Sequence, residues 1–165
     1  MKVNIALLTV TDTRTFDNDK SGSILVDKIK ESNHNLLDRK ICKDNKDEIV
    51  SILKGWIIDE KIDVVITTGG TGLTGRDITP EALDEIADKH IVGFGEIFRN
   101  ISLKTVGTSA IQSRACAVLA NGKYVFALPG SSGGVTDAWE GILKHQLDIN
   151  HKPCNFVELF PRLKE

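Results

Sequence analysis

The sequence predicts an α/β fold, a three-layer sandwich in which a mostly parallel, mixed sheet is covered by helices on both faces. Three observations carry that expectation. Apolar strand-like runs alternate with segments of helical periodicity along the chain. Val64 to Thr68 is β-branched throughout, as in a strand buried on both faces. Asn121-Gly122 lies between two apolar runs and marks an antiparallel hairpin, which makes the sheet mixed.

Val3 to Val10 reads as the first strand, Ser23 to Ser32 as a helix and Leu36 to Cys42 as a second strand. Lys46 to Asp59 reads as a helix whose Ile49, Leu53, Trp56 and Ile57 share one face, which makes Trp56 a core residue rather than a ligand platform. After the Val64 strand, Thr79-Pro80-Glu81 offers an N-cap, a proline at the first helical position and an acid in the first turn. Gly95 to Ser102 reads as a short helix, and Arg114 to Ala120 with Tyr124 to Leu128 as the two arms of the hairpin. A last helix is expected from about Val135 to Ile149. In the tail from Pro153 to Glu165, Phe156, Val157, Leu159 and Phe160 are expected to pack on this chain or on a neighbouring copy.

At 165 residues and 41% hydrophobic, the chain can bury one core, and no linker, repeat or low-complexity segment divides it. One domain over residues 1–165 is expected. Lysine and arginine total 21 against 23 acids, a net charge of −2 with no block of like charge. Nucleic-acid and membrane binding are therefore not expected, and any anion site must be local. No apolar run approaches membrane-spanning length and Met1-Lys2-Val3 leads straight into a strand-like run, so a cytosolic protein without signal peptide or anchor is expected. Cys42, Cys116 and Cys154 are widely spaced with no CxxC pair and read as reduced thiols. His34, His90, His145 and His151 show no metalloprotease spacing and receive no role.

Chemistry concentrates between Val64 and Leu83. There a buried strand runs into a loop containing Gly69, Gly70, Thr71, Gly72 and Gly75, then Arg76 and Asp77, before the proline-started helix. Glycines free the backbone to turn tightly and bring bare N–H groups against an anion. Gly72 is expected to be such a close-approach position, intolerant of a β-branched side chain. Gly70 to Gly75 fits GxGxxG, but Pro80 delays the helix whose N-terminus that dinucleotide motif needs, which disfavours a nicotinamide-dependent oxidoreductase. Gly70 to Asp77 also has P-loop spacing, with Arg76 in place of lysine and Asp77 in place of the hydroxyl residue. A carboxylate facing phosphates repels them unless a divalent cation lies between, so Asp77 reads better as a metal ligand than as a turn cap.

Three further loops join strands to helices where ligands collect in such sheets. In Thr11 to Gly22, Ser21 and Gly22 offer a hydroxyl and a close backbone approach, or simply a helix cap. Asp44 caps the second helix or coordinates a metal, and the residues alone favour the cap. Pro129, Gly130, Ser131 and Ser132 form a second phosphate cradle or a tight connection. Glu96 and Arg99 stand three residues apart on one helix face, where they can pair as a weak surface bridge.

The Thr67-Thr-Gly-Gly-Thr-Gly-Leu73 run with Arg76-Asp77 and Thr79-Pro80-Glu81 resembles the MoaB/Mog family of molybdenum cofactor biosynthesis proteins, which includes the molybdopterin adenylyltransferases. So do Ile5 to Val10, Asp19-Lys-Ser-Gly22, Gly93 to Arg99 and Leu128-Pro-Gly-Ser131, so that the likeness covers nearly the whole chain. Ser109 to Arg114, Ala138-Trp139-Glu140 and Lys152 to Phe156 look closer to the MoaB branch. The resemblance implies a molybdopterin-binding fold and a magnesium-dependent transfer of AMP from ATP to molybdopterin, with pyrophosphate released. It implies that Asp44 and Asp77 are the catalytic acids and metal ligands, that the glycine loops, Ser21, Gly22 and Arg76 bind the substrates, and that Glu96 and Arg99 border the pterin pocket. It also implies a homotrimer or a dimer of trimers. The alternative is a non-catalytic protein that holds a pterin or nucleotide, or pairs with other cofactor-assembly proteins.

Overall fold

The computed structural model describes all 165 residues. Its single sheet has six strands in the order β2-β1-β3-β6-β5-β4. The strands are β1 (Asn4–Val10), β2 (Asn35–Cys42), β3 (Val64–Thr68), β4 (Lys89–His90), β5 (Cys116–Ala120) and β6 (Lys123–Leu128). β1 pairs in parallel with β2 and β3, and β3 in parallel with β6. β5 runs antiparallel to both β6 and β4, so the sheet is mixed as expected. The β5–β6 turn places Asn121 at φ 49° and Gly122 at φ 72°, the two left-handed residues of a tight hairpin.

The helices form two layers. On one face α1 (Lys20–Glu31), α4 (Val92–Val106) and α5 (Ser132–Ala138) pack on Ile5, Leu7, Val64, Ile66 and Phe126. On the other α2 (Lys46–Ile58) and α3 (Thr79–Ile86) pack on Ala6, Leu8, Val10, Val65 and Val125. Neighbouring residues of β1 thus enter opposite cores, which is why its run shows no polar alternation. Trp56 is buried in the α2 layer, and its indole Nε1 donates to Asp38 at 2.9 Å. The three cysteines are unpaired thiols, and no helix is long and apolar enough to cross a membrane.

Several boundaries depart from the sequence reading. α1 starts at Lys20 rather than Ser23, because Asp19 caps it by accepting the Gly22 N–H at 3.0 Å. α4 runs from Val92 to Val106 instead of ending at Ser102, and stops at Gly107, whose φ of 63° suits glycine. β4 is too short for any periodicity to reveal. The expected last helix is α5 followed by a π-helical stretch over Trp139–Leu143 and a turn over Lys144–Gln146. The tail covers its own sheet: the Phe156 ring stacks on Tyr124 at 4.6 Å, Phe160 tilts against Tyr124 at 5.7 Å, and Tyr124 Oη donates to the Phe156 carbonyl. Of the two readings of the tail, packing on this chain holds for these rings.

Asp19 ties β1, β2 and α1 together. Its fully buried carboxylate accepts from Thr9 Oγ1 at 2.6 Å and from Arg39 Nη2 at 3.0 Å, besides the Gly22 amide. Burial pushes the carboxyl up, but the bonds from Thr9, Arg39 and Gly22 outweigh it and hold the group below its ordinary value. A depressed folded-state value contributes stability above the unfolded value, near pH 4, that is lost as pH falls through the folded one. Asp19→Asn is expected to cost about 3 kcal/mol at neutral pH. In urea melts at a series of pH values, its gap from the parent protein should narrow below about pH 4.

Candidate functional site

All four parallel strands end at one place. The loops that follow β1, β2, β3 and β6 meet at the sheet's carboxyl edge, where strand order reverses between β1 and β3, the position at which such sheets bind ligands. They line a cavity of about 990 Å³, whose far wall is the second half of α4 and the turn after it. That volume lies at the upper end for small-molecule sites.

The glycine loop is built by close backbone approaches. Gly69 has φ 103° and Gly70 φ 67°, both left-handed. A Cβ on Gly69 would lie 2.2 Å from the Val10 carbonyl oxygen, and one on Gly70 would lie 2.4 Å from Thr79 Oγ1 and 3.1 Å from Asp44 Oδ1. Gly72, the position expected to be intolerant, has no positive φ; its Cβ would meet the Asp77 carboxylate at 2.8 Å. The backbone constraint therefore sits at Gly69 and Gly70, and Gly72 is constrained by Asp77. Thr79 is not the cap of α3: that position is Ile78, and the Thr79 hydroxyl donates instead to the Gly69 carbonyl at 2.9 Å. Because α3 starts only at Thr79, no helix N-terminus opens at the glycines as GxGxxG binding requires.

From the other side Arg114 fastens this loop. Its Nε donates to the Gly72 carbonyl at 2.7 Å, one Nη to the Asp77 carbonyl at 2.9 Å, and its guanidinium pairs with Glu81. The Arg114 backbone N–H also reaches the Thr71 carbonyl at 2.8 Å. The sequence reading gave Arg114 no role, since nothing local links it to a loop some forty residues earlier.

Three acids crowd the mouth. Asn45, not Asp44, caps α2, accepting the Glu48 N–H at 3.0 Å, so the capping role that the residues alone favoured for Asp44 does not hold. Asp44 lines the cavity against Gly70. Its carboxyl is pushed up by burial and by the negative charges of Asp12 and Asp77, with Arg76 pulling it partly back. Asp77 also lines the cavity, and its Oδ2 accepts both the Thr74 N–H at 2.9 Å and the Thr74 hydroxyl at 2.7 Å. It therefore closes a turn as well as contributing charge. Burial pushes its carboxyl up, but the Thr74 bonds and the Gly72 amide outweigh this and hold it low. Arg76 pairs with Asp12, at 2.6 Å from Nη2. Repelling carboxylates gathered beside amide donors suit a divalent cation. No cluster of three or more His, Cys, Asp or Glu side chains forms a protein cage, and magnesium commonly takes only one or two carboxylates together with phosphate oxygens and water.

The remaining candidates divide. Ser21 is buried and lines the cavity, with Thr68 Oγ1 at 3.2 Å. Gly22 does not line it, because its N–H is spent on Asp19 and a Cβ there would lie 2.0 Å from Asp19 Oδ2. Pro129, Gly130 and Ser131 line the cavity, and Ser131 caps α5 through the Gly134 N–H at 3.1 Å. Ser132 stands just outside. Glu96 and Arg99 neither line the cavity nor pair with each other: Glu96 is exposed, and Arg99 donates to the carbonyls of Ser113 and Ala115. Arg14, which the sequence reading passed over, does line it, with Nη1 3.2 Å from the Gly130 carbonyl and 3.4 Å from Ser21 Oγ.

Fold and cavity together define an α/β protein with a cleft at a topological switch point, lined by glycine-rich loops, two arginines, Asp44 and Asp77. A family profile described as "Probable molybdopterin binding domain" matches residues 6–149. The chain is 44% identical to Molybdenum cofactor biosynthesis protein B of Escherichia coli K12 over 161 residues, covering 98% of this chain and 93% of that protein. A crystal structure of a Molybdenum cofactor biosynthesis protein B superposes with a TM-score of 0.89 at 40% identity, over 99% of this chain and 96% of the other. The tungsten cofactor synthesizing protein MoaB of Pyrococcus furiosus superposes at 0.81 with 31% identity, over 99% and 98%. The chain belongs to the MoaB/Mog family of molybdopterin-binding, molybdenum cofactor biosynthesis proteins.

Proposed function

We propose that this chain transfers AMP from ATP to the terminal phosphate of molybdopterin in a magnesium-dependent reaction, releasing pyrophosphate. The observation that supports the reading is that the loops after the four parallel strands share one cavity, lined by glycine backbone, two arginines, Asp44 and Asp77. A phosphate oxygen of molybdopterin forms a bond to the α-phosphorus of ATP, and the bond from that phosphorus to the oxygen bridging to the β-phosphate breaks, its electron pair leaving with pyrophosphate. Such transfers need alignment and cancelled charge more than covalent help. Magnesium, when bound, would supply that cancellation across the phosphate oxygens. Asp44 and Asp77 hold the ion in this reading. Amides of Gly70 to Gly72 and of Gly130 and Ser131 would hold phosphate oxygens, the Gly69 amide being spent on the Leu128 carbonyl at 3.0 Å, and Arg76 and Arg14 would neutralise charge on them. The reaction requires ATP and so belongs in the cytosol.

The rival is a protein that binds the same ligands without turnover. Incubating the purified chain with ATP, magnesium and molybdopterin separates the two: adenylylated molybdopterin and pyrophosphate are expected, whereas binding without product would overturn the transfer.

For assembly we propose a closed homotrimer, or two such trimers. With the tail's rings packed on the chain's own sheet, the contact is assigned to the exposed apolar side chains of α4 and the turn after it, Ile97, Leu103, Val106 and Ile111, the last 82% exposed. Light scattering is expected to give a trimeric or hexameric mass that Ile111→Lys lowers towards the monomer. A monomeric parent protein would refute the assembly, and an unaltered mass in the variant would put the contact elsewhere.

A further inference from the structure

We propose that Asp12 is a positioning residue of the candidate cation site: its carboxylate detains the Arg76 guanidinium and so keeps it off Asp44 and Asp77. The inference rests on reading those two acids as the ligands of a divalent cation. Arg76 Nε and Nη2 both donate to Asp12 Oδ2, at 3.0 and 2.6 Å. Asp12 Oδ1 accepts the Asp44 backbone N–H at 3.2 Å. Asp12 is thus held from two sides, by partners 64 and 32 residues away, which is not how a residue closing its own turn is bonded. Both its oxygens are engaged, so it is not an idle third ligand.

Arg76 is a threat to the site it serves. Its side chain is two-thirds exposed and adjoins Asp77 in the chain, yet the only carboxylate within 4.0 Å of it is that of Asp12. A guanidinium tethered beside two carboxylates competes with a divalent cation at high effective concentration, and arginine binds carboxylates in a strong, forked geometry. Asp12 offers it a different partner at the rim. The acids stay open to a cation, and Arg76 remains poised beside the phosphate loop.

The test titrates the full chain with Mn2+ alone, following loss of the free-ion EPR signal. Asp12→Asn retains an acceptor for the Asp44 amide and loses the charge that detains Arg76. Its Mn2+ affinity should fall about tenfold, Arg76→Gln alone should alter it by less than about threefold, and the double variant Asp12→Asn/Arg76→Gln should recover to within about threefold of the parent protein, a non-additivity that marks the competition. A gain in Arg76→Gln alone as large as the recovery in the double variant would mean additive charge effects and overturn the proposal. Unaltered affinity in Asp12→Asn overturns the proposal. So does a double variant as weak as the single one, which would mean that Asp12 contributes directly to the metal. Should Asp44→Asn and Asp77→Asn bind Mn2+ as the parent does, or the parent show no saturable binding, the cation reading fails and this inference with it. Thermal melts within a few degrees of the parent certify that each variant is folded.

Discussion

Asp77→Asn is expected to reduce magnesium-dependent AMP transfer by about 100-fold or more while shifting the thermal midpoint by only a few degrees. The structure sharpens this result, because Asp77 has two jobs. Its Oδ2 holds the Thr74 amide and hydroxyl, and the charge of the whole group belongs to the candidate cation site. An asparagine carbonyl can still accept from Thr74, so the turn survives and the charge is lost. Full activity in Asp77→Asn would reduce the residue to a turn cap. Asp77→Ala removes both roles and is expected to lower stability as well, by about 1 kcal/mol, the usual worth of such a bond. The difference between the two variants, read as activity against melting temperature, apportions the residue between chemistry and structure.

Gly69→Ala is expected to destabilise the protein by about 2–5 kcal/mol, through a strained left-handed backbone and a Cβ driven into a neighbouring carbonyl. The obstructing atom is the Val10 backbone oxygen, at 2.2 Å, which no side-chain rotation can clear. Gly72→Ala should behave differently. It requires no unusual φ, and its Cβ meets only the end of the Asp77 side chain. It is expected to weaken ATP binding about tenfold by displacing that carboxylate, at a stability cost of no more than about 1 kcal/mol from the loosened Thr74 turn. Calorimetric titration with ATP and a urea melt on each variant read the two effects. Equal loss of stability in both would mean that the loop is structural throughout.

Much of the site was legible because its signals are local. Four glycines, an arginine and an acid between a β-branched strand and a proline-started helix lie within about twenty residues, and each speaks through backbone chemistry that spacing alone conveys. Asp44 was ambiguous for a local reason too: Asp44 and Asn45 are adjacent, both able to cap α2, and only the backbone angles select Asn45. Arg114, Arg14 and Asp12 act through partners far along the chain, and no periodicity encodes those meetings. Glu96 and Arg99 show the converse. Their spacing allows a pair on one helix face, but α4 turns Arg99 towards the carbonyls of Ser113 and Ala115 and leaves Glu96 in solvent.

By itself the sequence determined five of the six strands and the main helices in outline, that the sheet is mixed with covered faces, and that a glycine loop carrying Arg76 and Asp77 joins a buried strand to a proline-started helix. These follow from short-range rules, the spacing of apolar residues and the φ and ψ that glycine, proline and asparagine permit. Only the tertiary structure decided which glycines are irreplaceable, that the tail's Phe156 and Phe160 pack on Tyr124, and that Arg76 rests on Asp12. Each of those depends on how closely distant parts of the backbone approach. That distance is set by the packing of two helical layers on the sheet, and no stretch of sequence contains it.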